Sequence, residues 1–366
     1  MAITERYVTS GAAGGGDGSV GNPWTLTEAF ANMVAGDRIN VKADATYTRT
    51  ASDTVTPDGT ATSPIIIRGY TTTIGDATLG RSSGGALNSS KMPTIAYDAT
   101  FQLNASGAGF IIWEGLKITH ARAGNAFQPG TDSVVYGCIC TNTSTSNVSN
   151  AIRHSGSRVQ YIDCDFSAVG SSGSVAAAIY SAPEIVLGCR IIATDGDGIR
   201  VGSGVKYLAN NTIIAARFGI ATESTTSSLT AFNNTIVGGS NGIEILTATT
   251  AAQVLVANHI TGQSGYGINF NTSTCTKFLS NNRFRDYTSG AYSGDGDWGT
   301  GTKMRDIDSG ATGTDADDFV DAGTQDYSLK AGAAATSNGV GYLIDIGASG
   351  SPVVSGGGSN AYVIGS

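Results

Sequence analysis

The sequence predicts an all-β chain wound as a parallel β-helix: a solenoid of about ten rungs with an N-terminal capping helix and an irregular C-terminal cap. Three columns of residues predict it. In the first, Leu116, Cys138, Cys164, Cys189, Asn211, Asn234, Asn258 and Asn282 recur at spacings of 22, 26, 25, 22, 23, 24 and 24. Two residues on lies an apolar column, Ile118, Cys140, Phe166, Ile191, Ile213, Ile236, Ile260 and Phe284. Between them stand Lys117, Ile139, Asp165, Arg190, Thr212, Thr235, His259 and Arg283, polar in all but one case. In-then-out alternation is the period of a strand. The third column, Phe127, Ile152, Ile179, Ile199, Ile220, Ile243 and Ile268, is usually preceded by Gly or Ala and falls on another face of each repeat. A unit this short is too small for a propeller blade and lacks leucine-rich spacing, whereas stacked rungs about 4.8 Å apart turn each column into a physical stack.

In chain order, residues 1–21 read as an N-terminal arm and 22–42 as the cap helix and first strand. Leu26, Ala29, Phe30 and Met33 share one helical face, and Gly36 stops the helix. Arg38–Lys42 and Ile65–Gly69 then open the sheet, and residues 43–288 form the rungs. In the first column, Asn211, Asn234, Asn258 and Asn282 are expected to form an amide ladder at a turn, where a bend leaves backbone groups unpaired. Cys138, Cys164 and Cys189 continue that stack as small buried hydrophobes, with structure preferred over metal binding because no fourth ligand is in line. After Phe284 the repeat dissolves: residues 289–348 are a C-terminal cap region and 349–366 a tail with two short β-prone pieces on a flexible spacer.

Composition narrows the function. Lys+Arg 21 against Asp+Glu 29 gives a net charge of −8, so the basic footprint of a nucleic-acid binder is missing. No apolar run is long enough to span a bilayer, so no membrane partner is expected. Five cysteines are too few for a disulfide scaffold in 366 residues, and free thiols are expected. Glu5 and Arg6 stand where the apolar core of a secretion signal would begin.

The segment from Trp24–Phe30 through Ala35–Lys42 to Thr46–Tyr47 resembles the opening motif of right-handed parallel β-helix proteins of the pectate-lyase type. Its C-terminal counterpart is Asp326–Ala335 followed by Ile344–Ala348, so the resemblance covers about Trp24 to Ala348. These motifs speak for fold and weakly for function, because their residues cap and stack. The family holds polysaccharide lyases, glycoside hydrolases, and bacteriophage tailspikes and other virion proteins.

Choosing among these needs site residues. The candidate catalytic group is Asp195, Asp197 and Arg200, although the same Gly-Ile position recurs at Phe218–Ile220, Asn241–Ile243 and Tyr266–Ile268, so the motif reads mostly as the rung repeat. The residues after the third column, Gln128, Arg153, Tyr180, Arg200, Ala221, Glu244 and Asn269, form one outward stripe. No two carboxylates adjoin on it, so the paired acids of glycoside hydrolysis are not visible. Arg153, Tyr180, Arg200 and Glu244 are the candidates for holding an acidic glycan, against a plain solvated face. His120 and His154 lie at strand ends and His259 faces outward. Asp295 with Asp297, and Asp315, Asp317 and Asp318, could hold calcium but lack the grammar of a known loop, so no metal or other cofactor is assigned.

The expected function is a bacteriophage virion structural protein, a head-decoration or tail-associated component, made in the host cytoplasm and able to bind host-surface glycans. Its partners would be other virion proteins or copies of itself, a homotrimer among them. The competing reading is a secreted enzyme, a polysaccharide lyase or glycoside hydrolase acting on an acidic polysaccharide.

Overall fold

Each repeat folds as three short strands joined by tight corners, as in Ile185–Leu187, Arg190–Ala193 and Asp197–Val201. A computed structural model describes residues 3–293 apart from 78–84, 99–101, 155–156, 172–175, 182, 247–250 and 272–274. Beyond 293 it describes only the strands Ile307–Asp308, Phe319–Asp321 and Asp326–Leu329. The sequence readings beyond Ser293, including the C-terminal motif, the tail and the Asp295 and Asp315 groups, otherwise lie outside the described residues. Within them the strands stack into three parallel sheets of 11, 11 and 10 strands, here called the first, second and third in the order a rung meets them. This is a parallel β-solenoid with very little helix.

Both inward columns are physical stacks. Ile118 pairs with Cys140, Cys140 with Phe166, and so on through Ile260 to Phe284 without a slip. In the third sheet Ile199, Ile220, Ile243 and Ile268 stand in register and are wholly buried. The glycine before each isoleucine has a steric cause. A Cβ at Gly219 would lie 2.3 Å from Ile236 Cγ2 and 2.6 Å from the Gly242 carbonyl, so only glycine lets the third sheet come this close to the second.

The first column sits at the corner between the first and second sheets. The residue before it adopts a left-handed backbone at every rung, as at Asn210 (φ 56°), Asn233 (φ 53°) and Asn281 (φ 56°), which reverses the chain in two residues. The next asparagine then bonds across rungs. Asn234 Nδ2 donates to Asn258 Oδ1 at 2.9 Å and to the Leu208 carbonyl at 2.8 Å, while its backbone N–H donates to the same Oδ1 at 3.1 Å. Asn211 and Asn258 repeat the pattern. The cysteines are more than buried hydrophobes: the N–H of Cys138 donates to Cys164 Sγ and that of Cys164 to Cys189 Sγ, each at 3.4 Å. Sulfur takes the acceptor role that the amide oxygen has further along.

Two boundaries and one exposure differ from the sequence reading. Residues 1–21 are not a free arm, because Thr4–Val8 forms the edge strand of the first sheet, paired with Asp37–Lys42, and Val8 is fully buried. The rungs do not end at 288: Gly290–Ser293 adds a strand to the third sheet and Ile307–Asp308 one to the second. The polar column of the second sheet is in register as expected, but from Thr212 onward it is closed to solvent, while Lys117, Ile139 and Arg190 are half-buried. Asp165 accepts the Leu87 N–H at 2.7 Å, from a loop laid across this face, and Thr235, His259 and Arg283 are 0%, 0% and 3% exposed.

The cap helix is Leu26–Asn32, fixed by a capping box in which Thr25 and Glu28 satisfy each other's backbone N–H. Leu26, Ala29, Phe30 and Met33 are buried, and Phe30 meets the core indole of Trp113 edge-on at 6.3 Å. No helix among the described residues is long and apolar enough to cross a membrane.

Two outcomes follow from the ladder. Asn234→Leu removes an amide that serves three rungs, and should cost roughly 2 to 4 kcal/mol in denaturant unfolding; a change under about 0.5 kcal/mol would mean that the column is not a buried ladder. All five cysteines are free and buried, and burial pushes the Cys138 thiol up to about 12. Thiol titration should therefore be slow in the native protein and complete only on unfolding, and rapid labelling without denaturant would contradict the stack.

Candidate functional site on the outer face of the third sheet

The third sheet turns a polar face outward, and its rungs hold the residues that the sequence singled out. Arg153 pairs with Tyr180, Arg200 with Ala221, Ala221 with Glu244, and Glu244 with Asn269. The Tyr180 ring lies between two guanidinium groups, with Arg153 5.5 Å and Arg200 5.8 Å from its centroid. Arg153 is exposed and has no carboxylate partner among the described residues. Arg200 is only 5% exposed.

Asp197 explains why Arg200 is held so firmly. It is fully buried, and both its oxygens are taken. Arg217 Nε donates to Oδ1 at 2.7 Å while its Nη2 reaches Oδ2, and Arg200 Nε forms an ion pair with Oδ2 at 2.9 Å. Arg200 Nη2 extends to Glu223 Oε1 at 2.6 Å. Fully buried and paired with two arginines, Asp197 holds both guanidinium groups in place. Asp195 does not join it: its N–H is bonded to the Val169 carbonyl at 3.0 Å and it makes no ion pair among the described residues.

Glu244 is a different acid. It is 2% exposed, and accepts from Asn241 Nδ2 at 2.6 Å and from Asn269 Nδ2 at 3.0 Å on both oxygens. Burial raises its pKa above the usual carboxylate range, the amides oppose the rise, and the nearby Asp197 charge adds to it. On the stripe itself Glu244 has no carboxylate neighbour, as read from sequence, but Asp197 and Glu223 stand nearby, paired with Arg200.

Sequence reasoning missed Arg217 and Glu223, which flank the strand Phe218–Thr222. The position two before the third column reads Asn125, Asn150, Ala177, Asp197, Phe218, Asn241 and Tyr266, which does not repeat and so gave no signal. Within it Asn150 Nδ2 donates to Asn125 Oδ1 at 2.9 Å and Asn241 Oδ1 accepts the Tyr266 N–H at 2.7 Å. Also unforeseen is an interior group at the corner from the third sheet to the first. His154 and Lys206 are 8% and 5% exposed near Glu184, and burial lowers the Lys206 pKa. Among the described residues no three His, Cys, Asp or Glu side chains gather as a metal site.

With this geometry in hand, the likenesses to known proteins can be placed. A family model described as a right-handed β-helix region matches residues 100–258. The chain is a right-handed parallel β-helix. Among solved structures, the crystal structure of pectate lyase Pel9A aligns at TM-score 0.60 and 16% identity, covering 98% of this chain and 94% of that one. A rhamnogalacturonan lyase aligns at TM-score 0.52 and 12% identity, covering 87% and 91%. A tailspike protein of E. coli bacteriophage HK620 aligns at 0.40 and 11% identity over 85% and 59%, too loosely to argue from. At these identities the likeness is one of fold. No curated protein matches in sequence.

Two neutral histidines make the protein sensitive to acid. Burial lowers His154 to about 4, and burial with the Arg283 and Arg285 charges lowers His259 to about 3. Both start from an unfolded value near 6.5, so the unfolded chain takes up protons first and stability falls as pH drops below 6.5, by up to about 1.4 kcal/mol per unit and histidine. Unfolding midpoints measured from pH 7.5 to 4 should fall steadily, and His259→Gln should flatten the slope. A pH-independent midpoint would contradict it.

Proposed function

We propose that this protein is a glycan-recognising β-helix that binds an acidic polysaccharide across the outer face of its third sheet. The observation that carries the reading is the Arg153–Tyr180–Arg200 stack on successive rungs. An exposed guanidinium without a carboxylate partner, braced on a phenol ring, is a planar two-donor fork for a sugar carboxylate or sulfate. The rung pitch supports it too, since a linear chain of sugar acids laid along the solenoid meets rung after rung of the same sheet. The carboxylates already beside the stack are each engaged by arginine or amide groups, so among the described residues Arg153 is the cation on this face without a carboxylate partner.

We extend the proposal to its setting, the surface of a bacteriophage particle. What supports this is the composition: buried unoxidised thiols and ladders of side-chain amides hold the coil together without disulfides. The catalytic alternative would use Glu244, an acid of this face whose pKa burial raises.

Calorimetric titration with polyuronate or sulfated oligosaccharides should show binding that weakens at least ten-fold in Arg153→Ala and Tyr180→Ala and falls with added salt, while a neutral glucan does not bind. Equal affinity for the neutral glucan, or no loss in either variant, would reject the site. Release of an unsaturated or reducing-end product, abolished in Glu244→Gln, would make the protein an enzyme.

A further inference from the structure

The corner leading from the third sheet into the first holds three titratable side chains that the glycan site does not use. Lys206 lies on the strand Gly204–Ala209, where it shares the inward side with Leu208 and is 5% exposed. In its column it pairs with Leu229, and Leu229 with Gln253. An apolar residue would fill this position without drying an ammonium group, so a lysine here calls for a reason. Lys206 forms no ion pair among the described residues. Glu184 stands one rung earlier: its carbonyl accepts the Tyr207 N–H at 2.8 Å, and its Oε2 accepts the Val159 N–H at 2.9 Å. His154 completes the group. Its backbone N–H donates to the Tyr180 carbonyl at 3.0 Å, the residue is 8% exposed, and Nδ1 is buried without a hydrogen-bond partner among the described residues.

The protonation states suit a reactive amine. Burial lowers the basicity of Lys206 against the pull of Glu184. Burial also takes His154 down to about 4, with the Glu184 and Lys206 charges acting on it in opposite directions, so the ring is neutral at neutral pH. Glu184 is raised by burial, but the N–H groups of Arg158 and Val159 outweigh this and hold its carboxyl below the usual range. Arg158 itself is paired with Asp132. Val205 and Tyr207, on either side of Lys206, are 52% and 53% exposed, so the strand lies at the surface.

We propose that Lys206 is a nucleophilic amine that captures an aldehyde as a Schiff base, with Glu184 and His154 serving the proton transfers. A desolvated lysine without its proton is the form that adds to a carbonyl. The nitrogen lone pair forms the C–N bond, the C=O pair moves to oxygen, and one proton passes from nitrogen to that oxygen to give a carbinolamine. A second proton passes from nitrogen to the hydroxyl as the C–O bond breaks, so water leaves and the imine remains. The Glu184 carboxylate carries the proton in both steps, and His154 Nδ1 is a partner for the carbinolamine hydroxyl. A small hydroxyaldehyde and the open-chain end of a reducing sugar present the same carbonyl. The Arg153 and Tyr180 side chains take no part, so the inference stands apart from the glycan reading.

The full chain is incubated at neutral pH with glycolaldehyde, or separately with glucuronic acid, under cyanoborohydride, which reduces an imine to a stable amine, and the modified lysines are mapped by tandem mass spectrometry. Lys206 should be modified about ten-fold faster than the more accessible Lys42, Lys91 and Lys117. Lys206→Arg should remove the fast site alone, and Glu184→Gln should slow it about ten-fold with the other lysines unchanged. Capture of glycolaldehyde alone assigns a small aldehyde, and capture of glucuronic acid as well assigns a reducing end. Lys206 modified no faster than the other three, or only after unfolding, overturns the proposal, and so does a folded Glu184→Gln variant that reacts as the wild type does. Should that variant fail to fold, the wild-type comparison decides by itself.

Discussion

The corner between the first and second sheets governs the rest of the fold. A chain that reverses direction in two residues leaves its amides pointing at the rung above and its carbonyls at the rung below, inside the core where water is absent. The left-handed residue makes the reversal, and the asparagine after it satisfies both neighbours: one oxygen takes the N–H of the rung before, and the amide nitrogen gives to a carbonyl on that side and to the next amide on the other. Because each amide is bonded to two others, no rung can slip without breaking bonds in three. The thiols of Cys138, Cys164 and Cys189 hold the earlier rungs with weaker acceptors, and there the aromatic packing of Trp113 on Phe127, at 4.9 Å, and of Tyr161 on Phe166, at 5.2 Å, supplies more of the cohesion.

The charged site grows around one buried acid. At the corner leading into the third sheet Asp197 stands on the rung after Ala177, and its negative charge in a buried position draws in Arg217 and Arg200. A buried carboxylate is tolerable only when paired and hydrogen-bonded, so Asp197 fixes the arginines as firmly as the asparagines fix the backbone. The glycine column beneath keeps the strands close enough for the side chains of adjacent rungs to touch. Preorganisation of this kind lowers the ordering cost of binding a polyanion.

The three outer faces therefore differ in chemistry although one repeat builds them all. The second is covered where Leu87 bonds Asp165 and is closed to solvent at His259. The third is polar and holds a guanidinium without a carboxylate partner among the described residues. The first is charged at Arg68 and Glu114 and uncharged along its outward register from Tyr136 onward. An elongated solenoid can keep three surfaces for three purposes because neighbouring rungs repeat the same side-chain direction for tens of ångströms.

By itself the sequence determined the coil. The spacing of Leu116 through Asn282, the apolar column from Ile118 to Phe284 and the Gly-Ile pairs state the rung length, the alternation and the register, because each rung makes the same local bonds to the next and a repeated contact leaves a repeated residue. The helix was legible for a like reason, since the Leu26–Met33 face and the Gly36 stop are local. What only the tertiary structure decided were features that do not repeat. Thr4–Val8 becomes a strand because Asp37–Lys42 offers an edge. Thr235 and His259 are buried though their register is outward, since alternation tells in from out but not whether anything lies over the outside. Arg217 and Glu223 join Asp197 and Arg200 because ends of neighbouring strands meet around a corner. A column in sequence carries the direction of a side chain; its exposure, partner and charge state come from what the rest of the chain places beside it.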